Sequence, residues 1–232
     1  MAAGAFGNLA LRIVVLFNSA PFLFGFLPLC LAGFFVAARR HLPIAMLWLA
    51  LCSLFFYGWW DPQALPLLLG SISINFAMGR RLAQAGSAGT SNRPLLTAGV
   101  LLNLGALAYF KYANFFLGNL SAALGSTSSP LHVALPIGIS FFTFTQIAFL
   151  VDAHAGKARE FDFPRYVLFV SYFPHLVAGP ILHHGEMMPQ FAPRMASNIR
   201  ASNLAVGITI FAIGLFKKIV LADSLAPHAK VV

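Results

Sequence analysis

Apolar residues in this chain come in long unbroken runs rather than in the one-faced or alternating patterns of soluble helices and strands. Stretches without Asp, Glu, Lys or Arg cover roughly residues 13–38, 42–60, 62–79, 94–110, 131–151, 166–182 and 201–216. A hydrocarbon core about 30 Å thick needs ~20 such residues in a helix, within a range of about 17–25. The runs predict an all-α, polytopic integral membrane protein with about six to eight transmembrane or partly inserted helices. Continuous runs, rather than a period of two, argue against a transmembrane β-barrel. No long repeat, low-complexity tract or break in composition divides the chain, so residues 1–232 read as a single membrane domain.

Composition supports this and narrows it. Charged residues make up 9% and apolar residues 59%, with 24 Phe, whereas an ordinary soluble domain carries about 25% charge. So little charge excludes a cytosolic enzyme, a disordered tail and a disulfide-framed secreted module. The net charge of +9 comes from 15 Lys+Arg against 6 Asp+Glu. These basic residues are scattered, whereas a nucleic-acid binder gathers them on one face. No nucleic acid is expected as a partner; the lipid bilayer is. With the N-terminus outside, Arg39, Arg40, Arg80, Arg81, Arg93, Lys157, Arg159, Arg165, Lys217 and Lys218 become cytoplasmic. Arg12, Lys111, Arg194 and Arg200 then lie outside, which is a positive-inside bias. The first run exceeds the about 7–15 residues of a signal-peptide core and no A-x-A-like site closes it, so it reads as a span. Cys30 and Cys52 lie inside apolar runs and read as buried thiols.

Residues 86–92 are small and polar and predict a cytoplasmic loop. Residues 118–130, rich in Ser, Gly and Asn, predict an outer one. The charged segment 152–165 predicts a solvated turn with room for a short interfacial helix.

Four places carry polar or helix-breaking residues where a plain span would not. In Tyr57-Gly58-Trp59-Trp60-Asp61-Pro62 the aromatics suit the membrane interface and Asp61-Pro62 ends a helix. The segment is an aromatic belt or a pore mouth. In Tyr109-Phe110-Lys111-Tyr112-Ala113-Asn114-Phe115, Lys111 is wrapped by aromatics and followed by Asn114. It is a snorkelling anchor or a holder of a polar partner such as a substrate.

The third place, Leu135 to Gln146, contains Pro136 and Gly138, which predict irregular backbone near a membrane face. Such backbone survives only when buried in protein or lining a wet cavity. Ser140, Thr143 and Gln146 follow at i, i+3 and i+6 and are expected on one helical face, as inter-helix glue or a tunnel wall. The fourth place runs from Tyr172 to Glu186. His175 lies between Pro174 and Gly179-Pro180 in an apolar stretch, where carbonyls freed by the prolines are expected to partner it. His183, His184 and Glu186 invite a metal reading, but their spacing is specific to no metal. Hydrogen bonding to substrate or structure is the expectation.

These segments resemble the membrane-bound O-acyltransferase (MBOAT) family, in its alginate O-acetyltransferase branch. The resemblance runs in order through Leu16-Phe17-Asn18-Ser19 with Phe22 to Pro28, Ser53 to Trp60, Tyr109 to Phe115, Leu135 to Phe141, Phe173 to Ile181 and Gly214 to Asp223. It implies a ring of helices around a tunnel, incomplete here, and O-acetyl transfer to an exported polysaccharide such as alginate. It also implies a multi-pass protein of the bacterial inner membrane. Acetyl-CoA or an acyl carrier would be the acyl donor and act as substrate, with no tightly bound cofactor. An outside-facing polysaccharide acetyltransferase is an implied partner.

The family's essential His lies in an Arg/Trp-rich stretch beyond the segment matched by Lys217-Lys218, and no His here has that context. No catalytic residue is therefore assigned. The chain reads as the N-terminal half of a family member, expected to be inactive alone: either a truncated gene product or a fragment that pairs with a second polypeptide, its missing C-terminal half. Residues expected to border the tunnel are Lys111, Tyr112, Asn114, Ser140, Gln146, His175, Gly179, Pro180, His183, His184 and Glu186. The competing readings are a transporter or flippase, disfavoured by the lack of an internal repeat, and a noncatalytic scaffold for a polysaccharide-modifying complex.

Overall fold

The computed structural model describes residues 17, 19–87, 90, 92–124, 134–158, 162–176, 184–191 and 201–225. Every regular element among them is helical, as the bilayer requires of a backbone that must satisfy its own hydrogen bonds. The chain divides into two compact units, one made of Met1–Leu42 with Pro193–Val232 and the other of Pro43–Ala192.

In the first unit, helix α1 (Leu27–Ala38) follows a π-helical turn, Pro21–Phe26. Pro28 offers no N–H to the preceding turn, and the widened turn upstream absorbs that loss. The last helix, α9 (Ala201–Phe216), continues as a π-helical turn over Lys217–Ala222. It buries no residue and ends near an ion pair between Lys218 and Asp223.

The second unit holds α2 (Leu42–Trp60), α3 (Leu65–Ser87), α4 (Arg93–Ala123), α5 (Ile139–His154), α6 (Phe163–Ser171), α7 (Phe173–Leu176) and α8 (His184–Met187), the last running into a 3-10 turn, Met188–Phe191. Helix α5 is the hub and packs chiefly against α3 and α4. Glycines allow the close approach. A Cβ on Gly79 of α3 would lie 2.3 Å from the Phe149 ring, and one on Gly99 of α4 would lie 2.7 Å from Leu150. Small residues where helices meet are the usual means of close packing in membranes. Asn75 of α3 meets Asn103 of α4, and Met78 meets Gly99, so these helices run antiparallel. Gly99 lies near Leu150 and Lys111 near Ser140, so α4 and α5 are antiparallel too.

Among the described residues, four stretches are long and apolar enough to cross a membrane: Pro21–Ala38, Leu42–Trp60, Arg93–Ala123 and Ala201–Leu225. Helix α3 has 23 residues but is more polar, and α5 has only 16. The all-α, polytopic fold class expected from the sequence is the fold found.

Three local expectations need correction. Helix α4 does not stop near residue 117 but continues to Ala123, 31 residues in all. At 1.5 Å per residue it is ~46 Å long. The polar side chains read as loop formers bond to their own helix instead. Asn119 Nδ2 donates to the Phe115 carbonyl at 2.9 Å and Ser121 Oγ to the Gly118 carbonyl at 2.9 Å.

The stretch 166–182 is not one crossing helix. Helix α6 ends at Ser171, Tyr172 leaves helical geometry, and α7 restarts at Phe173. Pro174 has no N–H to return to the Val170 carbonyl, so α6 cannot simply continue. His184 then packs beside Phe149 and Phe169, back along α5.

Finally, Ser140 and Gln146 do not form one polar wall. Ser140 reaches α4, whereas Gln146 reaches α3 and α6. Six residues turn a helix through well over one and a half turns, so these side chains diverge.

Candidate functional site

The sequence-distant polar segments meet around residues 137–140, where the chain enters α5. Helix α2 delivers Tyr57 and Asp61, one turn apart. Tyr57 Oη donates to the Ile137 carbonyl at 3.0 Å, and Asp61 Oδ2 accepts the Ile137 N–H at 3.4 Å. Both backbone groups of one residue are thus held by two side chains. The other carboxylate oxygen, Oδ1, accepts the Ala64 N–H at 3.1 Å and so closes the turn into α3. Tyr57, read as a belt or pore-mouth aromatic, is 1% exposed, while its neighbour Trp59 is 49% exposed and suits a belt.

Gly138 follows at φ +73°, in left-handed geometry that disfavours any side chain. A Cβ there would lie 2.7 Å from the Leu176 carbonyl oxygen. The turn therefore sits directly on the carbonyl of Leu176, the residue after His175. Helix α7 is also tied to α2: the Phe173 N–H donates to Ser53 Oγ at 3.4 Å, and the Phe56 and Phe173 rings lie 5.4 Å apart. Two residues past Gly138, Ser140 Oγ accepts from Lys111 Nζ at 3.5 Å. Lys111 is not wrapped by its aromatic neighbours in sequence. The Tyr112 ring lies 5.4 Å from Nζ, while Tyr109, Tyr112 and Phe115 face outward. Asn114 is exposed in the next turn.

His175 is 5% exposed. Contrary to expectation, no freed carbonyl receives it: neither Nδ1 nor Nε2 has a hydrogen-bond partner among the described residues. The Phe169 backbone interacts with the ring electrostatically without reaching hydrogen-bond geometry. The ring packs 5.6 Å from Tyr172. The nearby Tyr172 carbonyl is already used by backbone donors. The His175 N–H donates to the Tyr172 carbonyl at 3.1 Å, and the Leu176 N–H to the same carbonyl at 3.0 Å.

His184 does not join this cluster. Its ring lies 5.1 Å from Phe169 and 5.7 Å from Phe149. It lines a cavity of about 300 Å³ with Asp152, Lys157, Ala158 and Gly185. From Gly138 to Asp152 along α5 is ~20 Å, so the two histidines belong to different ends of the helix. Glu186 is exposed while His184 is 7% exposed. Gly179, Pro180 and His183 lie outside the described residues.

Gln146 joins a polar network between the two ends. Asn103 Nδ2 donates to Asn75 Oδ1 at 2.6 Å, and Asn75 Nδ2 donates back to Asn103 Oδ1 at 3.2 Å. Asn75 Nδ2 also reaches the Ser71 carbonyl at 2.9 Å, and Gln146 Nε2 donates to Ser71 Oγ at 2.9 Å. Tyr166 Oη approaches Gln146 Oε1 at 3.5 Å. These bonds tie α3, α4, α5 and α6 together as inter-helix glue. Ser71, Asn75, Asn103 and Tyr166 were not singled out from the sequence. The available signal was two Asn side chains placed midway along apolar runs.

Buried polar contacts between helices, with irregular backbone held inside protein, define a polytopic membrane protein with a built polar end. Residues 90–229 match the membrane-bound O-acyltransferase (MBOAT) family, and the chain belongs to that family. Curated relatives include a peptidoglycan O-acetyltransferase of Helicobacter pylori, 40% identical over 93% of this chain and 46% of the relative. Proteins named "Probable alginate O-acetylase AlgI" from Azotobacter vinelandii and Pseudomonas aeruginosa are 37% and 35% identical. Each aligns with 93% of this chain and with 43% and 41% of its own length, respectively. The chain thus spans less than half the length of these relatives. No solved structure matches it.

Proposed function

We propose that this chain is part of an enzyme that transfers acetyl groups to hydroxyls of a cell-envelope or exported polysaccharide. The observation that carries this reading is the alignment of 93% of the chain with a peptidoglycan O-acetyltransferase and with alginate O-acetylases. In this reading acetyl-CoA or an acyl carrier supplies the acetyl group as a substrate, and the acceptor approaches the end built from Asp61, Lys111, Ser140 and α7. The protein sits in the bacterial inner membrane with its N-terminus outside, as its basic residues favour. An outside-facing polysaccharide acetyltransferase works with it.

The chemistry is an exchange of one acyl bond for another. The acceptor oxygen attacks the acetyl carbonyl, the donor leaves with its electron pair, and the hydroxyl proton passes to a base. No residue described here is assigned as that base. The described residues supply shape and hydrogen bonding: a clamped turn, a lysine and a serine at one helix end, and a polar-tied bundle behind them.

Deleting the gene in its own host tests this. Alkali-labile acetate on a cell-envelope or exported polysaccharide should fall to background and return on complementation. Acetate unchanged on every polysaccharide examined would refute the proposal.

A further inference from the structure

Among the described residues at the α5 entry, the buried polar side chain whose needs the fold leaves unmet is His175. A neutral imidazole carries one N–H donor and one lone-pair acceptor. Here both nitrogens are buried and neither has a hydrogen-bond partner among the described residues, and leaving such a group unmet costs about 1–3 kcal/mol. Natural structures rarely carry that cost without reason.

The backbone around the ring is tied to its neighbours at several points. Its own N–H is used by the Tyr172 carbonyl, Phe173 is tied to Ser53 and stacked near Phe56, and the Leu176 carbonyl lies against Gly138. Ile137, one residue before that glycine, is gripped at both its N–H and its carbonyl by Asp61 and Tyr57. Three chain segments, the end of α2, the entry to α5 and residues 172–176, therefore hold this unsatisfied donor and acceptor. That is the design of a preorganised recognition group, whose cost is met when the ligand arrives.

We infer that His175 is a hydroxyl-recognition residue: its imidazole hydrogen-bonds an acceptor hydroxyl of the saccharide at the α5 entry. A hydroxyl both donates and accepts, so it can answer either ring nitrogen, which a carboxylate or an ammonium cannot. The adjacent Tyr172 ring, 5.6 Å from the imidazole and half-buried, offers an apolar face of the kind that packs on a sugar ring. His175 is thus a binding residue, and no bond is made or broken at it. The inference rests on the acetyl-transfer reading above.

The test uses membranes from cells expressing the gene's whole reading frame, with acetyl-CoA as donor and peptidoglycan fragments or alginate oligosaccharides as acceptor. His175→Phe fills the site without polar atoms. It should leave the melting temperature unchanged or higher and raise the half-saturating acceptor concentration ~10-fold, the loss of one good hydrogen bond. His175→Gln, which keeps a donor and an acceptor, should recover most of that loss. If wild-type membranes transfer acetate and both variants show unchanged acceptor saturation, the inference is overturned while the function stands. If wild-type membranes acetylate neither acceptor and deleting the gene leaves polysaccharide acetate unchanged, the functional reading itself falls. A second measurement does not depend on folding of the variants. In wild-type protein carrying 15N-labelled histidine in nanodiscs, acceptor saccharide should shift the His175 ring nitrogens, and no shift would count against the assignment.

Discussion

At the scale of residues, the site depends on one carbonyl and one missing side chain. Gly138 is in left-handed geometry with the Leu176 oxygen 2.7 Å from where a Cβ would sit. Gly156 has nearly the same backbone, φ +72°, with nothing within 4 Å of its Cβ position. The two glycines separate backbone strain from collision. Gly156→Ala should cost only the ~1–2 kcal/mol of placing alanine in left-handed geometry. Gly138→Ala pays that and must also push α7 away, so it should destabilise clearly more. Thermal unfolding in one detergent would compare them; equal losses would mean that the turn does not rest on Leu176. Gly138 could be flagged from sequence as a breaker beside Pro136. Its contact with residue 176 could not, because nothing local in either segment refers to the other.

At the scale of elements, the helices of the second unit are selected by their polar residues more than by their apolar ones. Helix α2 is apolar almost all round, so its sequence does not mark which face is buried. The buried set, Ala45, Met46, Leu49, Ala50, Ser53, Phe56 and Tyr57, follows helical spacing, with Ser53 and Tyr57 on it. On α4 the buried stripe is Gly99, Asn103 and Leu107. Lipid tails are as apolar as leucine, so helix pairing relies on close packing and polar bonds. The reciprocal Asn75–Asn103 pair should therefore show measurable coupling. A double-mutant cycle with alanine at both positions is expected to give ~0.6 kcal/mol and up to ~1.7 kcal/mol, the range measured for such bonds in membranes. Pairing Asn103→Ala with Ser73→Ala should give none, since Ser73 is exposed and, among the described residues, bonds to its own helix at the Leu69 carbonyl. Coupling as large for Ser73 would mean that the asparagines are not a specific pair.

At the scale of the whole molecule, the question is how the bundle sits in the bilayer. The proposed orientation places residues near Thr90 inside and those near Leu124 outside. In a protein whose Cys30 and Cys52 are replaced by alanine, Leu124→Cys should react with a membrane-impermeant thiol reagent on intact spheroplasts. Thr90→Cys should react only after lysis. The reverse pattern would invert the proposed topology. The antiparallel packing of α3 with α4 and of α4 with α5 supports alternate crossings in either orientation. The stretch 166–182 shows where a charge-free run misleads: hydropathy counts residues but does not register a proline that denies a helix its next bond.

The sequence by itself determined the class of the molecule. Unbroken apolar runs with 9% charge leave no soluble alternative, and a bilayer admits only self-satisfied backbones. It also picked out the segments around Asp61, Lys111, Gly138 and His175 as exceptions to plain hydrophobicity. Only the tertiary structure decided that these exceptions meet, that Gln146 works as glue while His175 is left unmet, and that His184 faces a different end of α5. The physical reason lies in range. Periodicity and composition report each residue's own solvent and helix, whereas a hydrogen bond between residues 57 and 137 exists only once two helices have been packed side by side.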